Sequence, residues 1–474
     1  MMDLQLAFKL LTSRGIAVQL VGDPAAQIKR VHTDTRSLLE GDLFVALVGE
    51  RFDGHSYLQQ ARLAGSSAAI AVHGLHEAGL SGLLVSDTKL ALGALAAAWR
   101  SGFKLPLIAV TGSNGKTTVT QMIASILRAA SDGAAWATQG NLNNDIGVPL
   151  TLLGLKEYHH HAVVELGMNH PNEIRYLATI AQPTVAVVNN AQREHQEFMH
   201  TVEAVALENG AVITALNEND VAVFPADEIY SSLWRGMAAP RRCISFAMSG
   251  KADVTAQADW LGDAWQVRAA TPEGALVFRL AIAGRHNVKN ALAAIAATLA
   301  VGLPLDTIAK GLEQFEAVKG RSRAFTLLAG TRAMQRSVTV VDDTYNANPD
   351  SVRAAIDVLA DLPGPHLLVL GDMGEVGDQG PEFHAEIGEY AADRGIETML
   401  CLGEQMRYGA AMFPGARHFG GIEALNATVR SDLVHYRSVL VKGSRFMKME
   451  RVVEDIALAA HHPSHSTQEA ADAA

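Results

Sequence analysis

Short apolar runs separated by polar turns recur along the chain, and their spacing divides it into three stretches. From Met1 to Asp87 the runs DLFVALVG, SAAIAV and GLLVS alternate with polar turns and predict a small α/β domain, 1–87. The helical pattern LALGALAAAWRSGF leads into a second stretch, 88–319, in which LIAV, HAVVEL, TVAVVNN and VAVFP read as strands alternating with helices. That alternation argues for a mostly parallel sheet with helices on its faces. Between Cys243 and Ile282 the runs CISFAMSG, ADVTAQADWL, AWQVRAAT and ALVFRLAI predict short strands in an antiparallel flap, and GRHNVKNALAAIAATLAVGL then opens a long alanine-rich helix. A third stretch, 320–460, alternates again through SVTVVDD, DSVRAAIDVLADL, HLLVLGDM, TMLCLG and RSVLVKGS, the pattern of a doubly wound, Rossmann-like α/β domain. The tail, 461–474, has little to bury and is expected to be disordered.

The strand LIAV runs directly into TGSNGKTT and then into a helical pattern. Glycines in such a turn let backbone N–H groups converge on phosphate oxygens, and the helix N-terminus adds its dipole. Thr111, Gly112, Ser113, Asn114 and Gly115 form the predicted cradle, with Lys116 reaching the β- and γ-phosphates of ATP. The Thr117 hydroxyl is expected to hold Mg²⁺, with Thr118 beside it. The pattern departs from G-x-x-x-x-G-K-[ST] at its first glycine, where Val110 stands. An ordinary glycine turn before a helix is the bland alternative, and the agreement of strand, loop, Lys-Thr pair and helix weighs against it.

A divalent ion needs further ligands. Glu165 ends the apolar strand of HAVVELGMNH, where a buried carboxylate is costly unless paired or metal-bound. His195 follows another apolar strand in VAVVNNAQREHQEF. Strand C-termini and the phosphate turn share one edge of a parallel sheet, so both residues are predicted near the same Mg²⁺. The alternatives are a helix cap or surface ion pair for Glu165 and a surface histidine for His195.

Composition narrows the partners. A net charge of -11 argues against nucleic acid while leaving room for a local basic cleft. The two cysteines, Cys243 and Cys401, have neither metal spacing nor a disulfide framework, as in a reducing compartment. The N-terminal MMDLQLAFKL lacks the features of a signal peptide, and the run Leu90–Trp99 falls short of the roughly 20 residues a membrane helix needs. A cytoplasmic protein without membrane insertion is expected, with monomer as the default state.

The guanine-reading N-K-x-D and the kinase H-R-D and D-F-G signatures are absent. The strand ending in Asp342 and Asp343 superficially resembles the carboxylate strand of a motor ATPase, but it falls in the third stretch, far from the turn. In order, TGSNGKTT, NLNNDIGVP, VELGMNH, GRHNVKNALAA, DDTYNANPDS, GDMGEVG and VKGSRFMKMERVV closely resemble the Mur ligase family, from about Met1 to Ala460. DDTYNANPDS is similar to the stretch specific to the member that adds D-Ala-D-Ala, whereas the phosphate turn is shared with folylpolyglutamate synthetases.

The resemblance implies a UDP-substrate-binding first domain, a central P-loop ATPase domain and a C-terminal ligase domain. It also implies a reaction in peptidoglycan synthesis: ATP phosphorylates the terminal carboxylate of UDP-MurNAc-tripeptide, and the amine of D-Ala-D-Ala displaces the phosphate. Lys116, Glu165, His195 and Arg321 are the implied catalytic residues, Arg321 reaching the γ-phosphate. Asn287, supported by His286 and Asn290, is the implied adenine contact, and Asp343 and Tyr345 are implied nucleotide contacts. The resemblance puts Thr35, Arg36 and Ser37 on the uridine diphosphate and Asn141, Asn144 and Asp145 on the muramoyl peptide. Asn346 and Asn348 face ATP or the dipeptide, and Lys442 and Ser444, with Arg445, the dipeptide carboxylate.

One departure stands out. Where many Mur ligases carry a carbamylated lysine that helps bind a second Mg²⁺, VEAVALENGAVI has Asn209, and the adjacent Glu208, or another group not evident in the sequence, is expected to supply the missing oxygens. The alternatives carried forward are a folylpolyglutamate-type ligase and a nucleotide-binding module without catalysis.

Overall fold

The computed structural model describes residues 1–331 and 334–461. The expected disordered tail lies, from residue 462, outside the described residues. Among the described residues no helix is long and apolar enough to cross a membrane. The class is α/β, as the alternating pattern predicts, and three sheets organise it.

The first sheet orders Val18–Val21, Gly82–Val85, Ala68–Ala71, Asp42–Val45 and Arg30–His32, parallel except for the Val18–Val21 edge. The helix Thr88–Ser101, capped by Asp87, packs between this unit and the central one, so one apolar core runs from Leu4 to Trp234 across both.

The central sheet carries the elements that build the site. Its inner strands are β1 (Leu107–Thr111), followed by helix α1 (Lys116–Ala130), and β2 (His161–Glu165), followed by α2 (Glu173–Ala181). Next come β3 (Val185–Val188) and α3 (Val202–Thr214). All residues of β1 are buried, as a parallel strand covered on both faces requires. Val119, Met122, Ile123, Ile126 and Leu127 repeat at helical spacing and turn one face of α1 into the core. Behind it the alanine-rich α4 (Arg285–Ala300) is buried from Asn287 to Leu299 save Lys289, small side chains allowing close approach to α1.

The flap expected over 243–282 is a continuation of this sheet rather than a separate element. Arg242–Ala247 and Val254–Trp260 extend the parallel ladder, and only Trp265–Thr271 and Gly274–Leu280 are antiparallel.

The C-terminal sheet begins with a hairpin between Arg323–Thr331 and β4 (Met334–Asp343), the first of which the apolar pattern did not reveal. Helix α5 (Pro349–Ala360) starts behind a capping box at Asn348, and α6 (Gly380–Asp393) packs against it. Strand β5 (Ser438–Lys442) lies parallel between β4 and His366–Gly371, in a register that sets Lys442 opposite Asp343.

Candidate active site

The register of the central sheet places Val110 beside Glu165 and Thr111 beside Val188, so the phosphate turn, the end of β2 and the loop after β3 share one edge. The end of β4 and β5 faces that edge across a cavity of about 1090 Å³. Lys116, Glu165, His195, Arg321, Asp343 and Lys442, drawn from two sheets, all line it.

The turn is held open by polar side chains. Gly115 has φ +79°, and a Cβ there would stand 2.5 Å from Asn290 Oδ1, so glycine is required twice over. Asn290 accepts from Asn189 Nδ2 (2.9 Å) and donates to Asn287 Oδ1 (2.9 Å), while Asn287 donates to the Ala283 carbonyl (2.7 Å). This chain ties α4 to the turn, because Asn189 also donates to the Asn114 carbonyl. Ser113, Asn114 and Gly115 line the cavity. Lys116 Nζ donates to the carbonyls of Gly112 (2.5 Å) and Ser113 (3.0 Å) and lies 3.3 Å from Glu194 Oε2.

Thr117 Oγ1 donates to Glu165 Oε2 (2.7 Å), and Asn143 Nδ2 donates to Glu165 Oε1 (2.7 Å). Thr118 is buried at the cavity wall, whereas Thr111 turns away to donate to Asn209 Oδ1 (2.7 Å). His195, held at φ +47°, presents Nε2 3.8 Å from Glu194 Oε2. Its Nδ1 is 2.6 Å from Glu375 Oε2 of the C-terminal unit, a contact without hydrogen-bond geometry. Paired with His195, the Glu375 carboxyl sits below its ordinary range against the opposing effect of burial. Oxygens on Thr117 and Glu165, in contact at 2.7 Å, and the imidazole of His195 are donors of the kind a divalent cation such as Mg²⁺ takes.

One expectation needs correction here. The Glu208 carboxylate is already engaged: its oxygens accept the backbone N–H groups of Asn172 and Ile174, both at 2.8 Å, and so cap α2. Asn209 is fully buried, and its amide oxygen is already used by Thr111.

On the far wall, Lys442 Nζ is buried between Asp343 Oδ2 (2.7 Å) and the Asn346 carbonyl (2.8 Å). Burial alone would raise the Asp343 pKa, but Lys442, the Ser322 N–H and His286 outweigh it and hold the carboxyl below its usual value. Burial pushes the His286 pKa down. Arg321 stacks over the Tyr345 ring at 4.0 Å. Ser444 Oγ accepts the Gly374 N–H (2.5 Å) and donates to the Ala347 carbonyl, and Arg445 pairs with Glu450. Thus Lys442 and Ser444, expected to meet a carboxylate, are each engaged within the protein. Asn348 caps α5 and exchanges side-chain hydrogen bonds with Asn114 (3.0 and 3.3 Å).

Asn141, Asn144, Asp145 and Asn346 also line the cavity, Asn144 Oδ1 accepting the Gly147 N–H (2.8 Å) and Asp145 pairing with Lys89 at 2.7 Å. Thr35, Arg36 and Ser37 are not brought to it. They form a short turn in which Arg36 is exposed and paired with Asp34, and Ser37 meets His32 (2.8 Å).

Asn143, Glu194, Arg193 and Glu375 were not singled out from sequence. The first two adjoin residues that were; the other two gain meaning only from the packing of the units. Arg193 donates to Asp350 on α5 and to Glu386 on α6, both at 2.7 Å, clasping the C-terminal unit to the loop that carries His195. A separate grouping of Asp53, His55 and His73 is no metal centre. His55 Nε2 accepts the Val72 N–H (2.8 Å), which leaves Nδ1 as the donor to Asp53 (2.6 Å).

A phosphate turn with Lys-Thr, a carboxylate and histidine on neighbouring strand ends, and a second α/β unit closing the cavity define a class of ATP-dependent ligases. Residues 110–298 match the Mur ligase middle domain and residues 330–445 the Mur ligase glutamate ligase domain; the chain belongs to the Mur ligase family. It is 38% identical over 427 residues to the UDP-N-acetylmuramoyl-tripeptide--D-alanyl-D-alanine ligase of Escherichia coli K12, covering 89% of this chain and 92% of that one. MurF from Acinetobacter baumannii superposes with a TM-score of 0.86 at 35% identity, over 95% of this chain and 98% of its own. MurF of Thermotoga maritima, solved with ADP, superposes at 0.81 with 25% identity, over 94% and 100%.

Proposed function

We propose that this protein joins D-Ala-D-Ala to UDP-MurNAc-tripeptide in peptidoglycan synthesis, coupled to cleavage of ATP to ADP and phosphate. The observation that carries this reading is the single cavity into which the phosphate turn, Glu165, His195 and the Asp343–Lys442 wall converge. The kinship with D-alanyl-D-alanine ligases supplies the substrates. The intact set of Lys116, Thr117, Glu165 and His195 counts against a module that only binds nucleotide.

The tripeptide carboxylate attacks the γ-phosphorus, the bond to the bridging oxygen breaks, and ADP leaves. The amine of D-Ala-D-Ala then adds to the acyl phosphate carbonyl, loses a proton and expels phosphate as the amide forms. Two anions must approach in line for the first step. Backbone N–H groups of the turn and Lys116, freed from its own loop carbonyls, offset their repulsion, and Arg321 adds charge from the closing unit. Mg²⁺ bound by Thr117, Glu165 and His195 would supply Lewis-acid stabilisation of the phosphoryl oxygens. His286, Asn287 and Asn290 serve the adenine side, with Asp343 and Tyr345 across from them. Thr35, Arg36 and Ser37 serve the uridine end, away from the cavity, as a long nucleotide-linked substrate requires. Domains 1–87, 88–319 and 320–460 close over the substrates and exclude water from the acyl phosphate. The protein works as a cytoplasmic monomer.

Tripeptide labelled with ¹⁸O in its terminal carboxylate tests this route. Transfer of one label into released phosphate, seen by mass spectrometry, is expected; unlabelled phosphate released together with amide formation would rule out the acyl phosphate.

A further inference from the structure

Glu194 lies between Lys116 and His195, and its side chain is only 5% exposed. One oxygen, Oε2, is 3.3 Å from Lys116 Nζ and 3.8 Å from His195 Nε2. The other, Oε1, is buried without a partner. A buried carboxylate can accept about four hydrogen bonds, so this one is under-satisfied in a way native structures seldom tolerate without a functional reason. Its main partner is also borrowed. Lys116 is the cation of the phosphate turn, and a triphosphate bound there draws the ammonium away. Glu194 is then a buried, unpaired anion beside a more highly charged one, a strain that a bound cation relieves.

The placement suits one. Adjacent ligands about 2.1 Å from an octahedral ion stand about 3.0 Å apart, so Oε2 and Nε2, now at 3.8 Å, need to close by about 0.8 Å to share one. Of the other acidic side chains beside the loop, Glu208 is taken up by the helix cap and Glu375 meets His195 at Nδ1, on the opposite side of the ring from Nε2. We infer that Glu194 is a carboxylate ligand of the divalent cation that accompanies ATP, sharing it with His195, and that Lys116 neutralises Glu194 until the nucleotide arrives. This rests on the reading of the cavity as an ATP site.

Mn²⁺ titration of the whole protein, followed by electron paramagnetic resonance in the presence of β,γ-methylene-ATP, tests it. Glu194→Gln is expected to weaken Mn²⁺ binding about tenfold or more, while analogue affinity measured in EDTA does not fall. Glu194→Asp, which keeps the charge, is expected to recover part of the loss. Mn²⁺ affinity within about twofold of wild type in E194Q would overturn the inference, as would equal losses of Mn²⁺ and metal-free analogue binding without rescue by aspartate. If E194Q fails to fold, E194D decides: a loss of about threefold or more supports the assignment and an unchanged affinity refutes it. Failure of the wild type to bind the Mn²⁺–analogue pair would refute the nucleotide site itself, a distinct outcome.

Discussion

At Lys116 an ammonium rests on the carbonyl oxygens of its own loop, ready to exchange them for phosphate. Lys116→Ala is expected to lower kcat by at least about 10²–10³, the scale of losing one preorganised charge at a reacting group, with an unchanged circular dichroism spectrum. Near-normal turnover in a phosphate-release assay would contradict the role. Asn209 makes a different demand. It is uncharged, fully buried and bonded to Thr111, so nothing at this position can take up carbon dioxide as a lysine would. Ligase rates in bicarbonate-free buffer are expected to match those with added bicarbonate. A clear dependence would mean that a carbamate forms elsewhere.

At the scale of elements, the carboxylate of Glu208 holds the first turn of α2, where orphan N–H groups and the helix dipole favour an anion. Glu208→Ala is expected to cost about 1–3 kcal/mol in urea unfolding, with the loss of two charge-assisted hydrogen bonds. His286 and Asp343, at the start of α4 and the end of β4, both have pKa values below their ordinary 6.5 and 3.8. Each holds fewer protons folded than unfolded, so stability rises with pH through its window. Stability is therefore expected to fall as pH drops below about 6.5 and again below about 3.8, and His286→Gln should flatten the first slope in thermal melts. Elements of this kind were legible where one run of residues holds both pattern and chemistry: β1, the turn and α1 follow from LIAVTGSNGKTT. The strand Arg323–Thr331 was not. It is an edge strand, mostly uncovered, with pairing fixed by register against β4 and little apolar alternation to mark it. Glu208 read as a ligand because its distance from the β2–α2 loop cannot be seen in a linear sequence.

Over the whole molecule, contacts between units decide what individual motifs do. Arg193 with Asp350 and Glu386, Asn114 with Asn348, and His195 with Glu375 all join the central and C-terminal units around the cavity. None was legible, since each pair is far apart in sequence and defined only by docking. Arg193→Met is expected to increase the radius of gyration in small-angle scattering and to lower kcat/KM by about tenfold, because the clasp positions the loop bearing His195. An unchanged radius and rate would remove the clasp from the mechanism. The most direct measurement is phosphate release from ATP with UDP-MurNAc-tripeptide and D-Ala-D-Ala supplied singly and together. Release is expected only with both, one phosphate for each amide bond formed. Sustained release with neither substrate, or amide formation without ATP cleavage, would contradict a carboxylate-activating ligase.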